Sequence, residues 1–299
     1  FMNIFVTGGT GFIGSYVVNE LVANGHNVTI LARNPKKVKG FLNHPNIQLL
    51  KGSLYDNDVI KEGLYGKDAC IHIALGWGDT PIDMLENDTK ASLYIFEKAV
   101  ELGVKQIIYT SSTAAIGEFR PLMKVDIDCR PIDLYGATKA ATEAYLLAIA
   151  TTKDIRCNII RPGYVFGNPV VEGAPMQPDG RFRKIVENSK QNKPINLVKN
   201  DGTQFIWAGD LAKIYLNLVS SHHNRQIFLG LSTKFVTWEE IAQYAIDYIG
   251  SKSDIILEDK GLEKEGSLFD VSLLKEEFGY AFTPFEHIKR HIEYIADNE

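Results

Sequence analysis

Val6-Thr7-Gly8-Gly9-Thr10-Gly11-Phe12-Ile13-Gly14 decides the fold of this chain. The apolar run Ile4-Phe5-Val6 leads into it, and Tyr16-Val17-Val18-Asn19-Glu20-Leu21-Val22-Ala23 follows with apolar residues at helical spacing. The glycines at 8, 11 and 14 therefore lie on a strand, turn, helix junction. There the missing side chains let the backbone approach a pyrophosphate, and the helix N-terminus offers free N–H groups and a positive dipole end. A glycine triplet alone is a weak signal, and the flanking strand and helix give it its meaning. No Gly-Lys-Ser/Thr follows, so the loop is not that of a nucleoside triphosphatase.

Outward from the loop, strand and helix signals alternate. Strands are expected at Val28 to Leu31, Ile47 to Leu50, Ala69 to Ala74, Gln106 to Tyr109 and Ile155 to Ile160, the last stopped by Pro162-Gly163. Helices are expected over Asp56 to Tyr65, with Asp56 as cap, over Leu85 to Leu102 and over Tyr135 to Ala150. Near-continuous apolar strands separated by helices imply a parallel sheet covered on both faces. After residue 165 the pattern changes. Asn168 to Gly180 reads as a Pro/Gly-rich loop, followed by helices near Phe182 to Asn192, Asp210 to Ser220, Trp238 to Ile249, Val271 to Phe278 and Pro284 to Ile295. Strands are expected near Ile195 to Val198 and Ile227 to Leu229.

The 299 residues carry a net charge of −5 with both signs interspersed, which leaves no footprint for nucleic acid or an anionic membrane. Phe1 ahead of Met2 reads as an added residue. No basic stretch precedes an apolar one, and no apolar run reaches about 18 residues, so neither a secretory leader nor a membrane span is expected. Cys70, Cys129 and Cys157 show no metal or redox spacing. Cys70 and Cys157, in strand-like runs, are expected to be buried, and a cytoplasmic location is expected.

Tyr135 and Lys139 stand four apart on a helix and so share a face. An ammonium beside a phenol favours the phenolate, which suits a tyrosine to give or take a proton. The pair alone also describes an ordinary helix surface. Upstream, however, Tyr109-Thr110-Ser111-Ser112-Thr113 closes a strand where ligands bind in open parallel sheets.

In this order, the Thr-Gly-x-x-Gly-x-x-Gly loop, Ser-Ser, Tyr-x-x-x-Lys and Arg161-Pro162-Gly163-Tyr164-Val165-Phe166-Gly167 resemble the extended short-chain dehydrogenase/reductase family of NAD(P)-dependent epimerase/dehydratase type. Asp68 to Ala74, the Asn87 helix, Gly209-Asp210-Leu211-Ala212 and Asp270 to Lys275 extend the likeness over nearly the whole chain. The resemblance implies an α/β fold: a Rossmann-type doubly wound parallel sheet over residues 1–165 that holds NAD(P) and the catalytic residues. Residues 166–299 would form a small C-terminal α/β substrate domain, with some segments returning to the first. It implies Tyr135 as general acid/base, Lys139 holding the nicotinamide ribose, and Ser112, rather than its neighbour Ser111, holding a substrate oxygen. Gly8, Thr10, Gly11, Phe12, Ile13 and Gly14 would cradle the pyrophosphate, with Ser53 and Leu54 by the adenine. Ala74, Leu75 and Thr110 would back the cofactor, and Pro162, Gly163 and Val165 would flank the nicotinamide.

Three departures bear on activity. Ala32 stands where an NAD enzyme usually keeps an acid for the ribose 2′-hydroxyl, and Arg33 with Lys36 or Lys37 follows, so NADP(H) is favoured over NAD(H). Thr113-Ala114 replaces the Asp-Glu pair of the family's 4,6-dehydratases, so dehydration is not expected. Asn200 to Trp207 resembles a nucleotide-sugar segment but lacks its pyrophosphate-gripping arginine, leaving Arg181 or Arg183 as a substitute or as a solvated helix face. The expected activity is hydride transfer on a nucleotide sugar, as an epimerase. The alternatives are an NADPH-dependent reductase of a small carbonyl compound and a non-catalytic NADP(H)-sensing protein. The expected partners are a small-molecule substrate and a second copy of the chain, because the helices of Leu93 and Ala144 are apolar beyond one stripe.

Overall fold

The computed structural model describes all 299 residues. In chain order the main elements are β1 (Asn3–Thr7), α1 (Phe12–Ala23), β2 (Asn27–Ala32), β3 (Ile47–Lys51), α2 (Asn57–Leu64), β4 (Ala69–His72), α3 (Lys90–Glu101), β5 (Gln106–Thr110), α4 (Leu134–Thr152) and β6 (Arg156–Pro162). Then come α5 (Arg181–Lys190), α6 (Ala208–Val219), β7 (Ile227–Gly230), α7 (Trp238–Ile249), α8 (Ser272–Phe278) and α9 (Phe285–Asn298). The seven strands lie in the order β7-β6-β5-β4-β1-β2-β3 and every neighbouring pair is parallel. The chain winds one way from β1 to β3 and the other way from β4 to β7. Between β1 and β4 the direction reverses, and the crevice beyond their carboxyl ends is where such sheets hold ligands. This is the Rossmann-type architecture expected from the sequence.

Alternation along the strands explains both covered faces. Ile4 and Val6 pack with Val17 and Leu21 of α1 and Leu211 and Leu218 of α6 on one side. Phe5 points the other way, into Ile60 and Leu64 of α2, Phe96 of α3 and Leu146 of α4. Cys70 and Cys157 are buried in that second layer. A separate core joins α5, α7 and α9 through Phe182, Trp238, Ile241, Ile288 and Ile292, with Phe166 and Phe205 between them. Beside it Ile195–Val198 pairs with Ile255–Glu258. Segments beyond residue 165 return to the sheet: α6, β7 and Leu274 of α8 all join the first core. No helix is long and apolar enough to cross a membrane.

The structure departs from the sequence expectations at four places that shape the site. Asp56 stands at the N-cap of α2 but makes no side-chain cap; its carboxylate accepts instead from Ser53 N at 2.8 Å, bracing the loop after β3. β4 ends at His72 rather than Ala74, because Thr7 Oγ1 takes the Ile73 and Ala74 N–H groups at 3.0 and 3.2 Å. The helix expected from Leu85 starts earlier, with a turn Pro81–Met84 capped by Thr80, and winds through a π turn, Leu85–Thr89, before α3. Pro162, taken as a strand stop, is the last residue of β6, where its missing N–H is harmless.

Candidate active site

The glycine loop bridges β1 and α1 at the switch point. Gly8 has φ +72°, and a side chain there would lie 2.7 Å from Ala74 N beyond β4. At Gly14 a Cβ would lie 1.9 Å from Gly8 O, so only glycine lets the helix start this close to the turn. Gly11 caps α1 without a side-chain hydrogen bond, leaving the first N–H groups of the helix aimed at the cleft. That cleft, about 430 Å³, is lined by Gly8, Thr10, Gly11, Phe12, Ile13, Gly14, Arg33, Lys37, Ser53, Leu54, Ala74 and Leu75. A side-chain-free cradle under unengaged helix N–H groups fits a dinucleotide pyrophosphate. Tyr55 and Pro178 line the cleft too and were not singled out in the sequence; Pro178 arrives from the Asn168 to Gly180 loop.

Behind the cleft, Thr7 Oγ1 and His72 Nδ1 are 2.6 Å apart, and His72 Nε2 is 2.8 Å from Ser92 Oγ. Thr7 Oγ1 already accepts two backbone N–H groups, so its proton goes to His72 Nδ1 and the ring stays neutral. Burial, seconded by the nearby Lys139 charge, drives the His72 pKa down to about 3.

Asp133 caps α4 by accepting from Gly136 N at 2.7 Å, which aims the first turn, with Tyr135, at the end of β5. Lys139 lies one turn on, nine-tenths buried, with Nζ donating to Thr110 O at 3.0 Å. Its Nζ is 5.7 Å from the centre of the Tyr135 ring and 5.0 Å from that of Tyr109. Burial lowers the Lys139 pKa, while Asp88 and Glu143 hold it up. The Tyr135 phenol is pushed up by burial, although Ser112 pulls it down. The sequence expectation of a lowered phenol is thus reversed, because desolvation of the ring outweighs its neighbours. Ser112 caps the short turn Thr113–Ala115, accepting from Ala114 N at 3.1 Å.

Ser112 lines a cavity of about 370 Å³ with Asp133, Gly163 and Tyr164. A further cavity of about 450 Å³ is lined by Lys184, Asn188, Asn196 and Leu257. Arg181, Asp201 and Trp238 line both, so the two adjoin. Arg181 is held by Asp179 at 3.0 Å, its guanidinium 4.9 Å from the Tyr164 ring and 4.8 Å from the Trp238 ring. Arg183 points elsewhere and pairs with Glu299.

A family model described as the NAD dependent epimerase/dehydratase family matches residues 4–230. The chain belongs to that family. It is 25% identical to a putative UDP-glucose 4-epimerase of Methanocaldococcus jannaschii over 99% of each chain. It is 28% identical to a 4-hydroxy-2-methyl-3-oxo-4-farnesyl-3,4-dihydroquinoline-1-oxide ketoreductase of Stigmatella aurantiaca, over 56% of this chain and 51% of that one. The chain spans about half the length of several curated relatives it matches. Its backbone superposes on UDP-glucuronic acid 4-epimerase of Bacillus cereus, a complex with NAD, with a TM-score of 0.82, covering 99% of each at 17% identity. That likeness is one of fold.

Within this epimerase/dehydratase frame, the glycine loop, Arg33, Lys37 and the residues after β3 and β4 converge on one cleft, and Ser112 and Gly163 line the neighbouring cavity. Thr110 meets Lys139 through its carbonyl. Pro162 and Val165 line neither space: Pro162 pairs with Gly230, and Val165 with Ile206. Two further residues, beneath the site, escaped the sequence reading. Glu143 binds Arg161 and Ser111 beneath the site, a role that its position four after Lys139 on one helical face could have suggested. Asp88 had no sequence signal, since nothing in it announces the π turn that carries it.

Proposed function

We propose that this chain is an NAD(P)-dependent epimerase that oxidises and re-reduces one carbon of a nucleotide sugar. The observation that carries this is the pair of adjoining cavities. The one beside Ser112 suits the reacting sugar, and the other, with Lys184, Asn188 and Asn196, offers polar groups to a nucleotide. The nicotinamide, when bound, gives or takes the hydride. Tyr135 exchanges the proton of the reacting oxygen, Ser112 holds that oxygen by its hydroxyl, and Lys139, fixed on Thr110 O, orients the ribose. Burial holds the Tyr135 phenol protonated at neutral pH, the form that returns a proton in the reduction half; the oxidation half takes the proton onto the phenolate, which the Ser112 hydrogen bond favours. Thr113-Ala114 offers no carboxylate for water elimination. The intact Ser112, Tyr135 and Lys139 set argues against a purely sensing role.

A second reading has its own observation: Arg33 and Lys37 line the cofactor cleft, where a 2′-phosphate would lie, and an NADPH-consuming carbonyl reductase would use them. One experiment separates the two. Mass spectrometry of the denatured protein identifies retained molecules, and fluorescence titration compares NADPH with NADH in the parent and in Arg33→Ala. Retained cofactor with a nucleotide sugar supports the epimerase. An empty site that binds NADPH more tightly, with the preference lost in Arg33→Ala, supports the reductase. Equal binding of NADH and NADPH in the parent rejects the phosphate role of Arg33.

We further propose a two-fold dimer. Ala141, Ala144, Tyr145 and Ala148 form an exposed, largely apolar face of α4. Tyr145 also lines, with Leu93 and Tyr94 of α3, a groove of about 740 Å³. Light scattering at micromolar concentration is expected to give twice the 33.4 kDa chain mass. Ala144→Glu is expected to return it to one chain, because an unpaired charge would be buried at the seam. A parent mass that stays at one chain as concentration rises rejects the dimer.

A further inference from the structure

Asp88 is a carboxylate in the wrong place for a surface acid. It is 1% exposed, on the π turn that precedes α3, and π turns concentrate at functional sites. Its Oδ1 accepts from Gly76 N at 2.8 Å, in the loop that follows β4 along the cofactor cleft. A Cβ on Gly76 would lie 1.9 Å from Asn87 O, so this loop and the π turn are packed backbone to backbone. Asp88 Oδ2 has no protein donor. A buried carboxylate oxygen left without a donor carries a penalty that proteins rarely accept without a use for it.

Lys139 presents the matching problem. It is 3% exposed, and its one hydrogen-bond partner is the neutral Thr110 carbonyl. An ammonium so buried sheds its proton unless negative charge stands nearby. The π turn that carries Asp88 packs against α4, and the titratable and charged groups facing this space are Lys139, Tyr135 and Glu143 on α4, Tyr109 on β5, His72 on β4, Tyr215 on α6 and Asp88. His72 is neutral and the tyrosines are protonated. Glu143 is committed to Arg161 through two hydrogen bonds, at 2.7 and 2.9 Å. Only Asp88 remains with an uncommitted oxygen. We propose that Asp88 is a positioning residue acting through Lys139: its carboxylate is the counter-charge that keeps the buried ammonium charged, while its other oxygen fixes the Gly76 loop. Burial raises the Asp88 pKa, and the Lys139 charge and the Gly76 N–H bring it back down, which makes the support reciprocal.

The inference rests on Lys139 serving the cofactor, and the test keeps the two apart. NADPH binding is titrated by fluorescence from pH 6 to pH 10 in the parent, Asp88→Asn and Lys139→Met. Asparagine keeps the acceptor for Gly76 N and removes only the charge. The pH at which binding weakens is expected to fall by about 1 to 3 units in Asp88→Asn, the span that one close opposite charge moves a pKa. A purely structural role would weaken binding at every pH without moving that midpoint. If Lys139→Met binds NADPH with the parent's pH profile, the role of Lys139 is wrong. If Lys139→Met removes the profile and Asp88→Asn leaves its midpoint in place, the role of Asp88 is wrong. Should Asp88→Asn fail to fold, ¹⁵N NMR of the lysine side chains decides in the parent, with Lys139 assigned by its loss in Lys139→Met: an ammonium at pH 8 is expected, and a neutral amine overturns the proposal.

Discussion

Tyr135→Phe is expected to lower turnover by about 10² to 10⁴ while NAD(P) still binds. The change removes one hydroxyl and keeps the ring, so the packing of α4 against the end of β5 survives. The cofactor cleft is built from the glycine loop and the residues after β2, β3 and β4, and Tyr135 is not among its lining residues. Lys139 stays anchored on Thr110 O and keeps its aromatic neighbours, so the ribose contact proposed for it is unaffected as well. What is lost is the proton donor, and a loss of that size corresponds to about 3 to 5.5 kcal/mol of transition-state stabilisation. Steady-state kinetics on the first substrate that the parent turns over, with cofactor titration of both proteins, checks this. A Phe variant that turns over within a factor of about three of the parent removes Tyr135 from the chemistry.

The glycine-loop cleft of the candidate site was legible because its physics is local. A glycine spacing, a preceding apolar strand and a following amphipathic helix all fall within residues 4 to 23, and each reports on its own short stretch. Arg33 and Lys37 likewise follow from their place at the end of β2. Tyr135 and Lys139 were legible because helical periodicity puts them on one face. The electrostatics were not, because burial is a property of the assembled sheet: the Tyr135 phenol rises, against the local expectation, once β5, the π turn and α4 close round it. The pair of adjoining cavities was hidden for a related reason. Arg181, Asp201 and Trp238 are far apart in sequence, and the packing of α5 against α7 makes them neighbours. Arg181, open in the sequence between substrate ligand and solvated face, turns out to stand at a cavity junction with its charge already paired by Asp179.

The other large effect expected lies beneath the site. Glu143 and Arg161 form a bidentate pair, Nη2 to Oε1 at 2.7 Å and Nε to Oε2 at 2.9 Å, with each side chain 3% exposed. Ser111 Oγ donates to the same carboxylate, so one acid ties α4 to the carboxyl ends of β5 and β6. Neither Glu143→Ala nor Arg161→Ala merely deletes an attraction. Each leaves the partner charge buried without compensation, and breaking a buried pair from one side costs about 3 to 5 kcal/mol. Replacing both partners with apolar residues of similar volume, Glu143→Leu with Arg161→Met, removes both desolvation penalties and is expected to cost less than either single change. Urea unfolding of the four proteins tests this, read as shifts in midpoint at constant slope. Singles within about 1 kcal/mol of the parent would mean that water reaches the carboxylate after all. A double variant less stable than both singles would mean that the tie from Ser111 through Glu143 to Arg161, rather than charge compensation, holds the three elements in register.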